Sequence, residues 1–378
     1  MPLPHAFLSR TAVALVVSLA TLSPAAAFTA APNLTVNGDI RLRYESDWDS
    51  HNAAGGRRLD RERGRFRLRA TAHYKFNDTW SFGARIRTGN THSQQSPHLT
   101  FHADDGSPSD DLQFSLDRYF LQFKQRHTTA WLGRNSSPFW QQNELFWDED
   151  ITPTGVAASF DTKHGNNTLT TTLGAFALPD GVNHLHGGLY AAQLKYVVSA
   201  KPSQLTLAAG LHAFEGKRGA RFLRNRNGER DYLVGVLNAQ WSTPVASRPL
   251  ALGIDVFHNF KDYSAAEIAP LPATQRDETL GYVFSATYGQ LKNPRDWFLG
   301  YYYAHVETFA TNASYAQDDW ARFGSGPQSD VTDIKGSEFR VAYAFTKDLN
   351  VMARLFLVEA ITSNQDAKRF RLDLNWKF

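Results

Sequence analysis

Residues 368–378, which read KRFRLDLNWKF, close the chain and carry a strand pattern over their full length. Every second position is apolar, namely Phe370, Leu372, Leu374, Trp376 and Phe378. Charged or polar residues fill the positions between them. Because successive side chains of a strand point to opposite faces, this stretch predicts a strand with one apolar and one polar face. The chain then stops on an aromatic residue, without a polar tail.

The same period-two pattern recurs along the chain and predicts about sixteen strands and no convincing helix. A change of parity near Asp117 and Arg118 indicates a β-bulge. The predicted segments are 34–46, 65–75, 80–90, 113–124, 128–134, 154–161, 168–177, 187–198, 204–214, 232–241, 249–258, 279–289, 297–307, 336–345, 349–361 and 368–378.

The connections between these segments alternate between long and short. Outer-membrane barrels show this asymmetry, with short periplasmic turns and longer extracellular loops. Lipid offers no partner for a backbone N–H or C=O group, so a spanning sheet must close on itself. We therefore predict an all-β fold, a transmembrane antiparallel up-and-down β-barrel of about 16 strands, with 14 or 18 left open and a soluble all-β protein as the alternative. Sixteen strands would enclose a water-filled lumen.

The start of the chain predicts export. Residues 1–27 have the weakly basic start, short apolar run and small-residue cleavage site of a signal peptide, which leaves residues 28–378 as one barrel domain. The apolar run is too short to span about 30 Å of hydrocarbon. The sequence contains no cysteine, which excludes disulfide scaffolds and Cys-ligated zinc. We expect passage through the periplasm to the bacterial outer membrane.

The final strand resembles the last strand of bacterial outer-membrane barrels, which usually ends in Phe. That resemblance implies that Phe378 is an assembly signal read by the barrel-assembly machinery.

Three stretches also resemble the bacterial outer-membrane "putative porin" family and, more distantly, the alginate-export-type barrels. They are RGRFRLRATAHYKFNDTWSFGARIRTGN at 63–90, SLDRYFLQF at 115–123 and LGRNSSPFWQQNELFWDEDITPTG at 132–155. The resemblance implies a passive channel of sixteen to eighteen strands. It transfers no catalytic residue and does not fix the solute.

Arginine is concentrated on the polar faces of the first and last predicted strands, which become neighbours when a barrel closes. A guanidinium group facing lipid near mid-bilayer costs about 2–4 kcal/mol, so we expect these side chains to face the lumen and attract anions. In the alternative they merely solvate the wall, paired with Asp39, Glu45, Asp117, Glu338 and Asp373. The predicted pore-lining residues are Arg41, Arg43, Arg65, Arg67, Arg69, Arg85, Arg87, Arg340, Arg354, Arg369 and Arg371.

Two loops carry unusual composition. Residues 135–153 are too apolar for a freely solvated loop, and we predict that they fold inward as a constriction; a cap on the barrel rim is the alternative. The predicted constriction residues are Phe139, Trp140, Glu144, Trp147, Asp148 and Asp150. Calcium binding there is disfavoured, because the acids lack the spacing of a known calcium loop. Residues 215–231 form a basic loop, for which we weigh contact with lipopolysaccharide or attraction of anions to the pore mouth against simple solvation.

These patterns favour an outer-membrane porin: a water-filled channel for passive diffusion of small, anionic solutes. The main alternative is an exporter of an anionic polysaccharide, and an adhesin or structural barrel is a further one. We expect no enzyme, because the chain has no Gly-x-Ser-x-Gly motif and its His residues are scattered. We also expect no cofactor, no metal and no nucleic acid. The expected partners are outer-membrane lipid, lipopolysaccharide, the barrel-assembly machinery and a small-molecule solute, with a homotrimer left open.

Overall fold

The computed structural model describes residues 28–224, 227–320 and 331–378. The predicted signal peptide, residues 1–27, and Arg226 of the basic loop lie outside the described residues. Among the residues that are described, no helix is long and apolar enough to cross a membrane.

Antiparallel strands make up most of the described chain, and sixteen of them form the barrel. Two short strands, β1 and β5, are added to it. The strands are β1 (Phe28–Ala31), β2 (Leu34–His51), β3 (Arg61–Lys75), β4 (Trp80–Thr88), β5 (Leu99–Ala103), β6 (Phe114–Gln125), β7 (Thr128–Arg134), β8 (Thr154–His164), β9 (Asn167–Gly181), β10 (His184–Ala200), β11 (Ser203–Glu215), β12 (Tyr232–Val245), β13 (Arg248–Asn259), β14 (Leu280–Gly289), β15 (Trp297–Val306), β16 (Ile334–Ala344), β17 (Leu349–Ala360) and β18 (Asp366–Lys377).

The barrel closes between its last and first long strands. β18 pairs antiparallel with β2, with Arg371 opposite Glu45 and Lys377 opposite Asp39. The final residue extends this seam: Gly38 N donates to Phe378 O at 2.8 Å, and Phe378 N donates to Gly38 O at 3.1 Å. Each predicted segment corresponds to one barrel strand, so the sixteen-stranded barrel is confirmed and the soluble alternative is wrong.

Several details differ from the sequence expectation. β5 lies within the expected loop 91–112 and pairs with β3. A one-turn helix, α1 (Ala265–Ile268), is closed by a capping box between Ser264 and Glu267. Several strands extend beyond the predicted segments towards the long loops, where pairing continues after the alternation has faded. The predicted bulge is confirmed, because Arg85 pairs with Arg118 while the next residue, Ile86, pairs with Leu116.

The two faces of the sheet invert the burial pattern of a soluble protein. Large apolar side chains such as Leu132 and Leu237 are 63% and 61% exposed, whereas Arg43 and Arg371 are 3% and 2% exposed. Aromatic pairs lie beside short turns, among them Tyr288–Trp297 and Tyr343–Phe345. An apolar outer band with aromatic edges is the surface that a barrel presents to a bilayer. The polar face therefore lines the lumen.

Candidate functional site: the pore constriction

The structure gathers the eleven predicted arginines onto one continuous sector of the luminal wall. Strand register explains this: on neighbouring strands Arg41 lies opposite Arg67, and Arg69 lies opposite Arg87. Across the seam the band continues on β18, β17 and β16, where Arg371 lies opposite Arg354. The sector, which we call the arginine wall, comprises Arg41, Arg43, Arg65, Arg67, Arg69, Arg85, Arg87, Arg340, Arg354, Arg369 and Arg371.

Carboxylates on the same strands pair with much of this wall. Arg43 donates through Nε and Nη2 to Asp373, at 2.7 and 3.0 Å. Other carboxylates bridge two arginines: Asp39 accepts from Arg67 and Arg69, and Glu338 accepts from Arg340 and Arg354. Arg85 is paired with Asp117, and Arg371 with Glu45. The pairing partners named in the sequence alternative are thus all present in the structure.

Pairing does not exhaust the charge of the wall. Arg65 donates to Ser96 Oγ and to the His98 carbonyl oxygen, and it has no carboxylate acceptor among the residues that the structure describes. Arg87 donates to the Ser93 carbonyl oxygen and lies 3.7 Å from Asp117. Arg61 and Arg63 on β3, and Arg118 on the adjacent strand β6, add further guanidinium groups. Among the described residues of this sector, guanidinium groups outnumber the strand carboxylates that form ion pairs with them, which are Asp39, Glu45, Asp47, Asp117, Glu338 and Asp373.

Residues 135–153, the constriction loop, cross the lumen. The loop leaves β7 and returns to β8, yet Trp140 N donates to Gln193 Oε1 on β10 at 2.8 Å. Its tip reaches β13, where Gln142 Nε2 donates to Asp255 Oδ1 at 2.6 Å. Its far limb returns to the arginine wall, where Asp150 Oδ1 accepts from Arg69 Nη1 at 3.0 Å. Since these partners lie along luminal faces of the strands, the loop is inside the barrel and not a cap on its rim.

The aromatic residues of the constriction loop explain its position. Phe139 and Phe146 each pack edge-on against His212, with ring centroids 5.0 Å apart, and Phe146 also meets Phe257. Trp147 is 3% exposed. The loop thus has an apolar side packed on the luminal face of β11–β13 and an acidic side directed towards the arginine wall. This two-sided arrangement places the loop between β11–β13 and the arginine wall.

A second inward segment, which the sequence pattern did not predict, follows β15. Phe309, Thr311 and Tyr315 are at most 2% exposed. The segment rests on the constriction loop: Asp148 N donates to Tyr315 O at 2.9 Å, and Gln317 N donates to Glu144 O at 3.1 Å. One signal could have revealed it. Residues 308–317 contain no charged side chain, which is unusual in an exposed loop.

The acids that these two loops bring into the lumen differ in ionisation. Burial, with Glu149 and Asp319 nearby, raises the pKa of Glu144 to about 8. Burial also raises the pKa of Asp148 well above its ordinary value. At Asp319 burial acts in the same direction, but Arg371, Arg43 and Arg354 outweigh it and hold the pKa well below its ordinary value. Raised pKa values therefore favour the neutral forms of Glu144 and Asp148, whereas Asp319 is held in its ionised form.

The basic loop 215–231 divides between buried and exposed residues. Arg230 is 6% exposed and its Nε donates to the Glu267 carbonyl oxygen at 2.8 Å. Lys217, Arg218 and Arg221 are exposed. Within the described ranges, no group of three or more acidic or His side chains is arranged to hold a metal ion.

Comparisons with known proteins agree with this architecture. Residues 51–223 match the family described as "putative porin". No curated protein matches the sequence. Among solved structures, OprB of Pseudomonas putida superposes with a TM-score of 0.58 at 10% identity, covering 92% of this chain and 94% of that chain. Salmonella typhi OmpF in complex with daunomycin gives 0.54 at 11% identity, with 93% and 100% covered. A BenF-like porin from Pseudomonas fluorescens gives 0.51 at 11% identity, with 91% and 98% covered.

The structural likenesses show a shared fold, whereas the family match bears on the sequence itself. All three stretches that carry the family resemblance fall within residues 51–223. The resemblance to the putative porin family is thus confirmed over that range, and the protein is a porin-type channel of the bacterial outer membrane.

Proposed function

We propose that this channel, exported with residues 1–27 as a cleaved signal peptide, passes small anionic solutes by passive diffusion. The observation that carries the proposal is the arginine wall, on which guanidinium groups outnumber the strand carboxylates within the described residues. A narrow pore with low-dielectric walls strengthens the field of such a sector. The planar guanidinium fork matches carboxylate and phosphate groups, so an anion can be bound and released along the wall.

Two inward loops favour a small solute over a polymer. The constriction loop spans from β7 to β13, and the segment after β15 packs against it. A polysaccharide chain would need both loops to move aside, whereas a small anion needs a much narrower opening past them. We therefore place diffusion of small anions ahead of polysaccharide export.

Reversal potentials in a salt gradient test the proposal. The parent channel should prefer anions over cations at low salt. Replacing Arg67, Arg69, Arg85 and Arg87 with Gln removes four charges from the wall and should shift the reversal potential towards cation permeation. The shift should shrink as salt rises, because the Debye length falls from about 10 Å at 0.1 M to about 3 Å at 1 M.

Four exposed arginines provide a matched control, since their replacement with Gln removes the same formal charge outside the lumen. They are Arg57, Arg126, Arg221 and Arg276. The control should shift the reversal potential much less than the wall variant. Equal reversal potentials for the parent and the wall variant at low salt would refute anion selectivity by the arginine wall.

A further inference from the structure

One loop carboxylate, that of Asp319, lies among three guanidinium groups of the arginine wall. Asp319 lies in the segment after β15 and meets arginines from three adjacent strands. Arg371 Nη1 lies 2.5 Å from Asp319 Oδ1, Arg354 Nη1 lies 3.2 Å from Asp319 Oδ2, and Arg43 Nη1 lies 3.7 Å from Asp319 Oδ1. Each of the three arginines approaches Asp319 through its Nη1 atom.

Each of these guanidinium groups is also held by a carboxylate of the barrel wall through Nε. Arg43 uses Nε and Nη2 on Asp373. Arg371 uses Nε on Glu45 at 2.7 Å, and Arg354 uses Nε on Glu338 at 2.6 Å. These wall carboxylates therefore fix the orientation of each guanidinium group. The Nη1 atom of each arginine is left directed at the position of the Asp319 carboxylate. Donors held on rigid strands are suited to recognising an oxyanion without rearrangement.

Burial differs between the donors and the acceptor. The side chains of Arg43 and Arg371 are 1% and 2% exposed, whereas that of Asp319 is 22% exposed. The donors are thus shielded from competing water, while the carboxylate is reachable from the lumen. Arg43 Nη1 and Arg371 Nη1 are buried and have no hydrogen-bond partner among the described residues, so Asp319 is their ion-pair partner only. Removing the carboxylate would leave these buried charges without that partner, which is unfavourable unless another anion takes the place.

We propose that Arg43, Arg354 and Arg371 form a carboxylate-binding subsite of the channel, and that Asp319 occupies it as a built-in competitor that a carboxylated solute displaces. This inference rests on the proposed function and adds its ligand class. A tethered carboxylate acts at an effective concentration in the millimolar range or above, so a solute must compete with it and binds only weakly. Weak binding suits a channel, because a tightly bound solute would not leave.

Block of single-channel chloride current by succinate tests the subsite. Asp319→Asn keeps the shape of the side chain but removes its charge, and should lower the half-blocking succinate concentration about tenfold or more. Asp318→Asn is the matched control. Asp318 is half-buried and adjacent, yet within the described residues it forms no ion pair with the three arginines. This control should be blocked like the parent.

A double variant separates displacement from general loosening of the loop. Asp319→Asn combined with Arg354→Gln should lose the gain in succinate block, because one of the three donors is absent. Folding of each variant is checked by the heat-modifiable mobility of the barrel in gels.

Three outcomes would overturn the inference: no gain in Asp319→Asn, an equal gain in Asp318→Asn, or a gain that persists without Arg354. A parent channel without anion preference would instead overturn the proposed function. An anion-selective parent with unchanged succinate block overturns the subsite alone.

Discussion

Replacing Asp255 with asparagine should release the tip of the constriction loop from the far wall. Asp255 Oδ1 accepts from Gln142 Nε2 and Asn238 Nδ2, each at 2.6 Å, and Oδ2 accepts from Asn143. The backbone allows this approach because residue 253 is glycine: a Cβ there would lie 2.0 Å from Gln142 Oε1. One carboxylate on β13 thus holds two consecutive residues of the loop tip, and we call these hydrogen bonds from Gln142 and Asn143 to Asp255 the latch.

The magnitude follows from the hydrogen-bonding groups of the two side chains. An aspartate presents two acceptor oxygens to three amide donors, whereas an asparagine presents one oxygen and an NH₂ group. At least one donor therefore faces another donor, and the remaining bonds lose their charge assistance. Hydrogen bonds to a charged group contribute about 1.5–3 kcal/mol each, so we expect the latch to weaken by about 2–3 kcal/mol. At about 1.4 kcal/mol per factor of ten, this raises the population of the unlatched loop roughly 30- to 150-fold.

Single-channel recording measures this change directly. Asp255→Asn should show frequent transitions to a higher-conductance state that is rare in the parent. Asp161→Asn is the control, because Asp161 is exposed near a short turn and accepts a hydrogen bond from Thr170 at 2.7 Å, away from the loop. If Asp255→Asn has the conductance and dwell times of the parent, the loop is held by its aromatic contacts and the latch argument is wrong.

Two further predictions concern assembly and pH. Deleting Phe378 removes the two backbone hydrogen bonds that extend the β18–β2 seam to Gly38, so the folded fraction in the outer membrane should fall sharply while unfolded chain accumulates in the periplasm; unchanged folding yield, read from heat-modifiable mobility, would contradict an assembly role. Burial raises the pKa of Glu144 to about 8, so this side chain is neutral at pH 6 and ionised at pH 9. Anion preference should therefore decrease as pH rises through about 8, and Glu144→Gln should abolish that step in the reversal potential.

The strands were predictable because each barrel strand meets lipid on one face and water on the other. This difference imposes a two-residue period that can be read without any partner, as in residues 368–378. The pattern fails where the environment stops alternating. β5 was missed because it lies in an extracellular connection, where LTFHA is too short to show a period. The buried segment after β15 was missed because its neighbours are other loops.

Local sequence pattern could not predict which carboxylate pairs with each arginine, for a different reason. Arg43 and Asp373 are 330 residues apart in sequence, and only the register of the closing seam brings them together. Five of the six pairing acids were predictable, because alternation assigns them to the luminal face, whereas Asp47 was not predicted. Local pattern cannot distinguish acids that neutralise the wall from acids that loops carry to it, since that distinction depends on where the loop tips end.

This distinction explains why composition is a poor guide to the charge of the pore. The whole chain has a formal net charge of only +3, and most wall arginines have a carboxylate partner. A strand carboxylate is held by the sheet beside the arginine that it neutralises, whereas Asp319 and Glu149 reach the wall from loops, and Glu144 can become protonated. The field met by a solute therefore depends on the state of the loops as well as on the number of arginines. Variants that change loop acids should alter selectivity without disturbing the barrel, whereas variants that change Asp373 or Glu45 should first disturb the seam that holds the wall together.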